Sequence, residues 1–151
     1  MRIIKVFITL ITVLSFMIIT DINQAEMSGD ISKVKIVYGK PNIYSREDMD
    51  AAISIIKEQF IKWDGCELHS IRYTDDDYCN TEDNIKWMNE LAESRGCEPT
   101  FTQCIAFFSD FHSPTDAKNK TAFNVDSEYT NWTWYLARTD NGEWHLMTFG
   151  Y

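Results

Sequence analysis

The sequence predicts an α+β fold, a long amphipathic helix packed against a strongly curved antiparallel sheet. Three observations predict it. Met49, Ala52, Ile53, Ile56 and Phe60 recur at helical spacing behind a capping sequence. Segments 101–111, 129–139 and 143–151 are long, aromatic and alternating, as strands are. Asn141-Gly142 divides the last two, and both residues tolerate the positive φ of a two-residue hairpin turn. A chain of 151 residues suits a single domain.

The N-terminus comes first. Met1–Lys5 carries Arg2 and Lys5, and an uncharged apolar run, Val6–Ile19, follows. Thr20–Gln24 is polar, and Ala25 is a small residue at the expected cut. This is the layout of a secretory signal peptide over residues 1–25. The apolar run is shorter than the ~20 residues of a spanning helix. The rest of the chain is expected to be secreted or extracytoplasmic. The alternative is a membrane anchor through an uncleaved signal, the only membrane contact expected. A net charge of -9 repels phosphate backbones, so nucleic acid is not an expected partner.

Glu26–Lys33 is polar and reads as a tether, which leaves 34–151 as one α+β domain. Val34–Tyr38 alternates Lys with Val and Ile, and Gly39 and Pro41 break it, so a short strand or an extended lead-in is expected. Ser45, with Asp48 three residues on, is close to a capping box and starts the main helix, which runs to about Lys62. Asp64-Gly65 ends it. Cys66–Tyr73 reads as a strand and Thr74–Asp77 as an acidic turn. Asn80 or Thr81 caps a second helix, Glu82–Arg95, burying Ile85, Met88, Leu91 and Ala92 before Gly96. In the strand Phe101–Phe111, both faces carry apolar residues, so both are expected to be at least partly covered. Ser113–Ser127 reads as a loop. Tyr129–Thr139 and Glu143–Tyr151 form the terminal hairpin. Counting outward from a two-residue turn puts Leu136 opposite Met147, Trp134 opposite Phe149 and Trp132 opposite Tyr151.

The helix at Tyr44–Lys62, the strand from Phe101 and the hairpin Trp132–Tyr151 resemble the cone-shaped nuclear transport factor 2-like (cystatin-like) superfamily. More narrowly, three segments resemble small secreted proteins of unknown function from Gram-positive bacteria. They are Cys66-Glu67-Leu68-His69-Ser70-Ile71-Arg72-Tyr73, Ser109-Asp110-Phe111-His112-Ser113-Pro114 and the closing Trp144…Gly150-Tyr151. The resemblance covers about Val34–Tyr151 and implies a cone with an interior pocket. In that superfamily a buried Asp or His serves isomerases and dehydratases.

Four cysteines, Cys66, Cys79, Cys97 and Cys104, follow the signal, and oxidation to disulfides is expected outside the cytoplasm, with three pairings open. Their spacing lacks the short chelating pair of a zinc site. His69, His112 and His145 likewise include no short pair, so no metal and no cofactor is expected. Asp75-Asp76-Asp77 lacks the glycine of a calcium loop and reads as a solvated turn. Asn119-Lys120-Thr121 and Asn131-Trp132-Thr133 are glycosylation sequons, discounted for a bacterial chain.

No nucleophile motif or phosphate loop occurs. The expected function is therefore a non-catalytic, exported binding or accessory module for a small molecule, a peptide or an envelope protein. Its candidate binding residues are the hairpin aromatics Trp132, Trp134, Tyr135 and Trp144, each with a large apolar area and one donor. The alternative is a small-pocket acid–base enzyme using Asp110 and His112, two residues apart on one strand, with Tyr129 or Tyr135 as hydrogen-bond donor.

Overall fold

The computed structural model describes residues 28–97, 100–116, 122–140 and 142–151. The signal segment 1–25, the first two residues of the expected tether, the Asn119-Lys120-Thr121 sequon and Asn141 of the expected turn lie outside them.

Ser45 caps helix α1 (Arg46–Phe60). Its hydroxyl accepts from the Asp48 N–H at 3.1 Å, and the Asp48 carboxylate accepts from the Ser45 N–H at 3.0 Å. The capping box is thus complete, and the stripe Met49, Ala52, Ile53, Ile56 and Phe60 is buried throughout. Burial of each large side chain contributes roughly 1.5–3 kcal/mol. Helix α1 connects β1 (Lys35–Val37) to β2 (Glu67–Tyr73), which pair in parallel with Ile36 opposite Ile71. Parallel neighbours need a crossover connection, and α1 supplies it.

Two helices follow β2, the four-residue α2 (Asp76–Cys79) and α3 (Glu82–Ser94), the latter capped by Thr81. Strands β3 (Gln103–His112), β4 (Glu128–Arg138) and β5 (His145–Gly150) then run antiparallel, giving the order β1-β2-β3-β4-β5. Successive strand residues point to opposite faces. Ile105, Phe107, Trp134 and Leu136 join the α1 stripe in one core. Their neighbours Cys104 and Ala137 join Met88 and Ala92 of α3 in a second. The sheet is therefore covered on both faces.

The expected fold class is corrected on this evidence. Among the described residues the sheet is mixed and five-stranded, and three helices of 15, 4 and 13 residues accompany it. It is not one long helix on a curved antiparallel sheet, and the cone expected from the resemblance goes with that arrangement. A three-residue strand carries too little pattern to reveal a parallel partner, and α3 needs the second sheet face for its own apolar residues.

The terminal hairpin differs twice: its ladder closes with Ala137 opposite His145, one place off the expected two-residue turn, and a bulge then restores the expected register farther out. Trp134 does lie opposite Phe149, but Leu136 lies opposite Leu146 because the register shifts beyond Tyr135. Met147 occupies the shift and turns into the second core, where Arg95 Nη2 donates to its carbonyl at 2.6 Å. The bulge puts Leu146 and Trp144 on the α1 side, whereas unbroken alternation from Phe149 would place them on the other face. Within the expected tether, the Gly29 N–H donates to the Ile61 carbonyl at 3.0 Å, and Asp30 bridges Glu67.

Candidate functional site

The site is built where α1 runs out. The Trp63 N–H donates to the Phe60 carbonyl at 2.9 Å, and the Cys66 N–H donates to the Trp63 carbonyl at 3.0 Å. Asp64 and Gly65 form the corner of that turn, with Gly65 at a φ of 71°, where a side chain would be strained. The turn holds the Trp63 ring against the sheet, 5.2 Å from Trp134 and stacked on it. Trp63 meets Phe123 at 4.9 Å and 63°, Trp132 at 6.0 Å and 84°, and Phe149 at 5.5 Å and 63°.

These four rings, with Lys62, Asp64 and Ala122, line a concavity of about 290 Å³. That is the small end of the usual range for ligand sites, about 300–1,000 Å³. The buried Ser113 hydroxyl secures the loop bearing Phe123, donating to the Asn124 carbonyl at 2.5 Å and accepting from the Ser127 N–H at 2.9 Å. Trp132 Nε1–H is buried and has no acceptor among the described residues. Lys62 Nζ donates to Gln59 Oε1 at 3.2 Å. Asp64 is exposed and makes no hydrogen bond or ion pair among the described residues.

Of the aromatic residues expected to bind, only Trp132 lines this groove. Trp134 is fully buried, and its Nε1–H donates to Ser109 Oγ at 2.8 Å. Trp144 is 5% exposed, packs edge-on to Tyr44 at 5.5 Å and lies 4.2 Å beneath the Arg138 guanidinium. The bulge at Met147 explains this placement, since it turns Trp144 inward. Tyr135 lies on the opposite sheet face, its hydroxyl donating to the Tyr78 hydroxyl at 3.2 Å beside Trp87. Burial, then that bond, push its phenol up from the ordinary value.

Asp110 and His112, two residues apart on β3, are engaged by different partners. Asp110 accepts from Ser70 Oγ at 2.8 Å, from Arg72 Nη2 at 3.0 Å and from the Asn131 N–H at 3.0 Å. Burial alone raises its carboxyl, but these donors outweigh burial and leave it below the usual carboxylate range. His112 Nε2 instead lies 3.3 Å from Asp126, and Tyr129 stacks on Phe111 at 4.9 Å. Tyr135 is paired with Ala106, four residues along β3 from Asp110, which is roughly 13 Å. The histidines are also spread. His69 lies 3.7 Å from Glu128, and His145 pairs with Ala137 opposite Cys104, about 27 Å along β3 from His112.

The expected disulfides are absent, since all four cysteines are free. Cys66, Cys79 and Cys104 are buried and Cys97 is exposed beyond α3. Cys79 Sγ donates to the Asp75 carbonyl at 3.1 Å rather than bonding a second sulfur. Burial pushes the Cys66 thiol up to about 11 and Cys79 upward, and burial with the neighbouring Cys79 pushes Cys104 up to about 12. Spacing in the sequence counts sulfurs but does not say which elements carry them inward.

Sequence reasoning missed Trp63, Phe123 and Asp64. The available signal was Trp63, three residues past Phe60, which continues the apolar stripe of α1 beyond its last turn. Among the described residues no helix is long and apolar enough to cross a membrane. The chain matches no protein-family model, no curated protein and no solved structure.

Proposed function

We propose that the chain is an exported, non-catalytic binding module that captures a small ligand in the aromatic groove at the end of α1. The observation that carries this reading is the convergence of Trp63, Phe123, Trp132 and Phe149 on one concavity. Such rings bind by burying apolar area. The state of Asp110 supports the same reading. A general base needs a lone pair free to meet a substrate proton, and the Asp110 oxygens already accept from three groups. Export is supported by the charged start and apolar run of residues 1–19.

The test uses Nile red, a neutral apolar dye that brightens when it leaves water. Its emission should rise on titration with the purified chain. Phe149→Ala and Phe123→Ala should each reduce the rise in protein that still melts cooperatively. No rise, or a rise that neither substitution alters, refutes the groove as a binding site. Material recovered from the culture medium should have the mass of a chain lacking residues 1–25. Recovery of the whole protein inside the cell counts against export.

A further inference from the structure

We infer that the occupant of this groove is an organic cation of the quaternary ammonium class, an inference that rests on the binding-module reading above. Two independent features choose a cation. The first is ring geometry. Trp63 meets Phe123, Trp132 and Phe149 at 63°, 84° and 63°, and Phe123 meets Trp132 at 77°. Rings crossing at such angles cannot stack as slabs. Only Trp132 and Phe149 come nearer to parallel, at 33°, so the four rings line the concavity with planes of differing orientation, and the negative face of an aromatic ring attracts a cation. A compact alkylammonium can touch several walls at once, because its charge is spread over methyl groups that need no hydrogen bonds.

The second feature is charge. Asp64 stands on the rim with no cationic partner among the described residues, in a chain of net charge -9. The opposing charge on the rim is Lys62, whose ammonium bonds back to Gln59. The groove therefore offers aromatic faces and an unpaired carboxylate, and the field of the whole chain draws cations toward it. A sugar would need a dense set of donors and acceptors, and the lining side chains supply only Lys62, Asp64 and two indole N–H groups, of which that of Trp132 is buried.

The experiment is calorimetric titration at low ionic strength with choline and with neohexanol, the neutral alcohol in which a carbon replaces the nitrogen. Choline should bind about tenfold more tightly than neohexanol. Asp64→Asn should weaken choline severalfold, and Lys62→Gln should tighten it. Both residues are exposed, so neither change threatens the fold. Phe149→Leu keeps apolar volume but removes a ring, and should weaken choline more than neohexanol. Equal binding of the two probes overturns the cation while leaving an apolar binding site. So does failure of both probes in a protein that still binds Nile red. Choline binding that neither Asp64→Asn nor Lys62→Gln alters also overturns the cation. Failure of Nile red as well removes the groove itself.

Discussion

Truncating Trp134 to Ala tests the central packing of the domain. The indole is fully buried and stands opposite Phe107 on β3 and Phe149 on β5. It stacks on Trp63 at 5.2 Å and contacts the Phe149 ring at 5.1 Å. Removing a buried Trp costs about 3–5 kcal/mol, because transfer energy is lost and the cavity refills only in part. Ser109 Oγ also loses the N–H that it accepts at 2.8 Å, which adds roughly 0.5–1.5 kcal/mol. Against a total stability of about 5–15 kcal/mol, the variant should lose about a quarter or more. At roughly 2–8 °C per kcal/mol for domains near this size, its melting temperature should fall by 10 °C or more. Differential scanning calorimetry measures this. Trp134→Phe is the control, retaining a ring while removing the hydrogen bond, and should cost a minor part of the loss. A Trp134→Ala melt within a few degrees of wild type would refute the core assignment.

Ile53→Asp places an unpaired charge at a residue only 4% exposed in the α1 core, and should leave little folded protein by circular dichroism. A cooperative wild-type melt would mean that the wrong helix face was taken as buried. Acid should destabilise the domain through Asp48 and Asp110. The Arg138 guanidinium, bonded at 2.5 Å, holds the Asp48 carboxyl low, and Asp110 is lowered despite its burial by Asn131, Ser70 and Arg72. Because both folded values lie below the unfolded ones, their stabilisation is present above about pH 4 and is lost as pH falls through the folded values. Asp110→Asn should flatten part of that acid limb in urea midpoints; an unchanged limb counts against the network. Native alkylation should modify Cys97 alone, because the other three thiols are buried and shifted against forming thiolate. Intact mass spectrometry should show one adduct when native and four when denatured, and a disulfide in the purified protein contradicts the free-thiol arrangement.

Local elements were legible in the sequence because local physics sets them. The Ser45–Asp48 box and the stripe from Met49 to Phe60 define α1 within one stretch of chain. The same holds for α3 behind Thr81 and for the long strands β3 and β4, whose alternation states which residues share a face. Trp134 faces Phe149 only because the bulge at Met147 offsets a ladder that closes one place away from the two-residue turn counted from the sequence. Tertiary structure decided the rest. The parallel partner of Lys35–Val37 depends on where α1 lays the chain down. The bulge at Met147 reverses the facing of Leu146 and Trp144, since in a two-residue period one extra residue exchanges the two faces. The groove draws Trp63 from a turn, Phe123 from a loop, and Trp132 and Phe149 from two strands. No spacing in the chain encodes that meeting, because a concavity is a relation between distant segments that exists only once the sheet and α1 have packed.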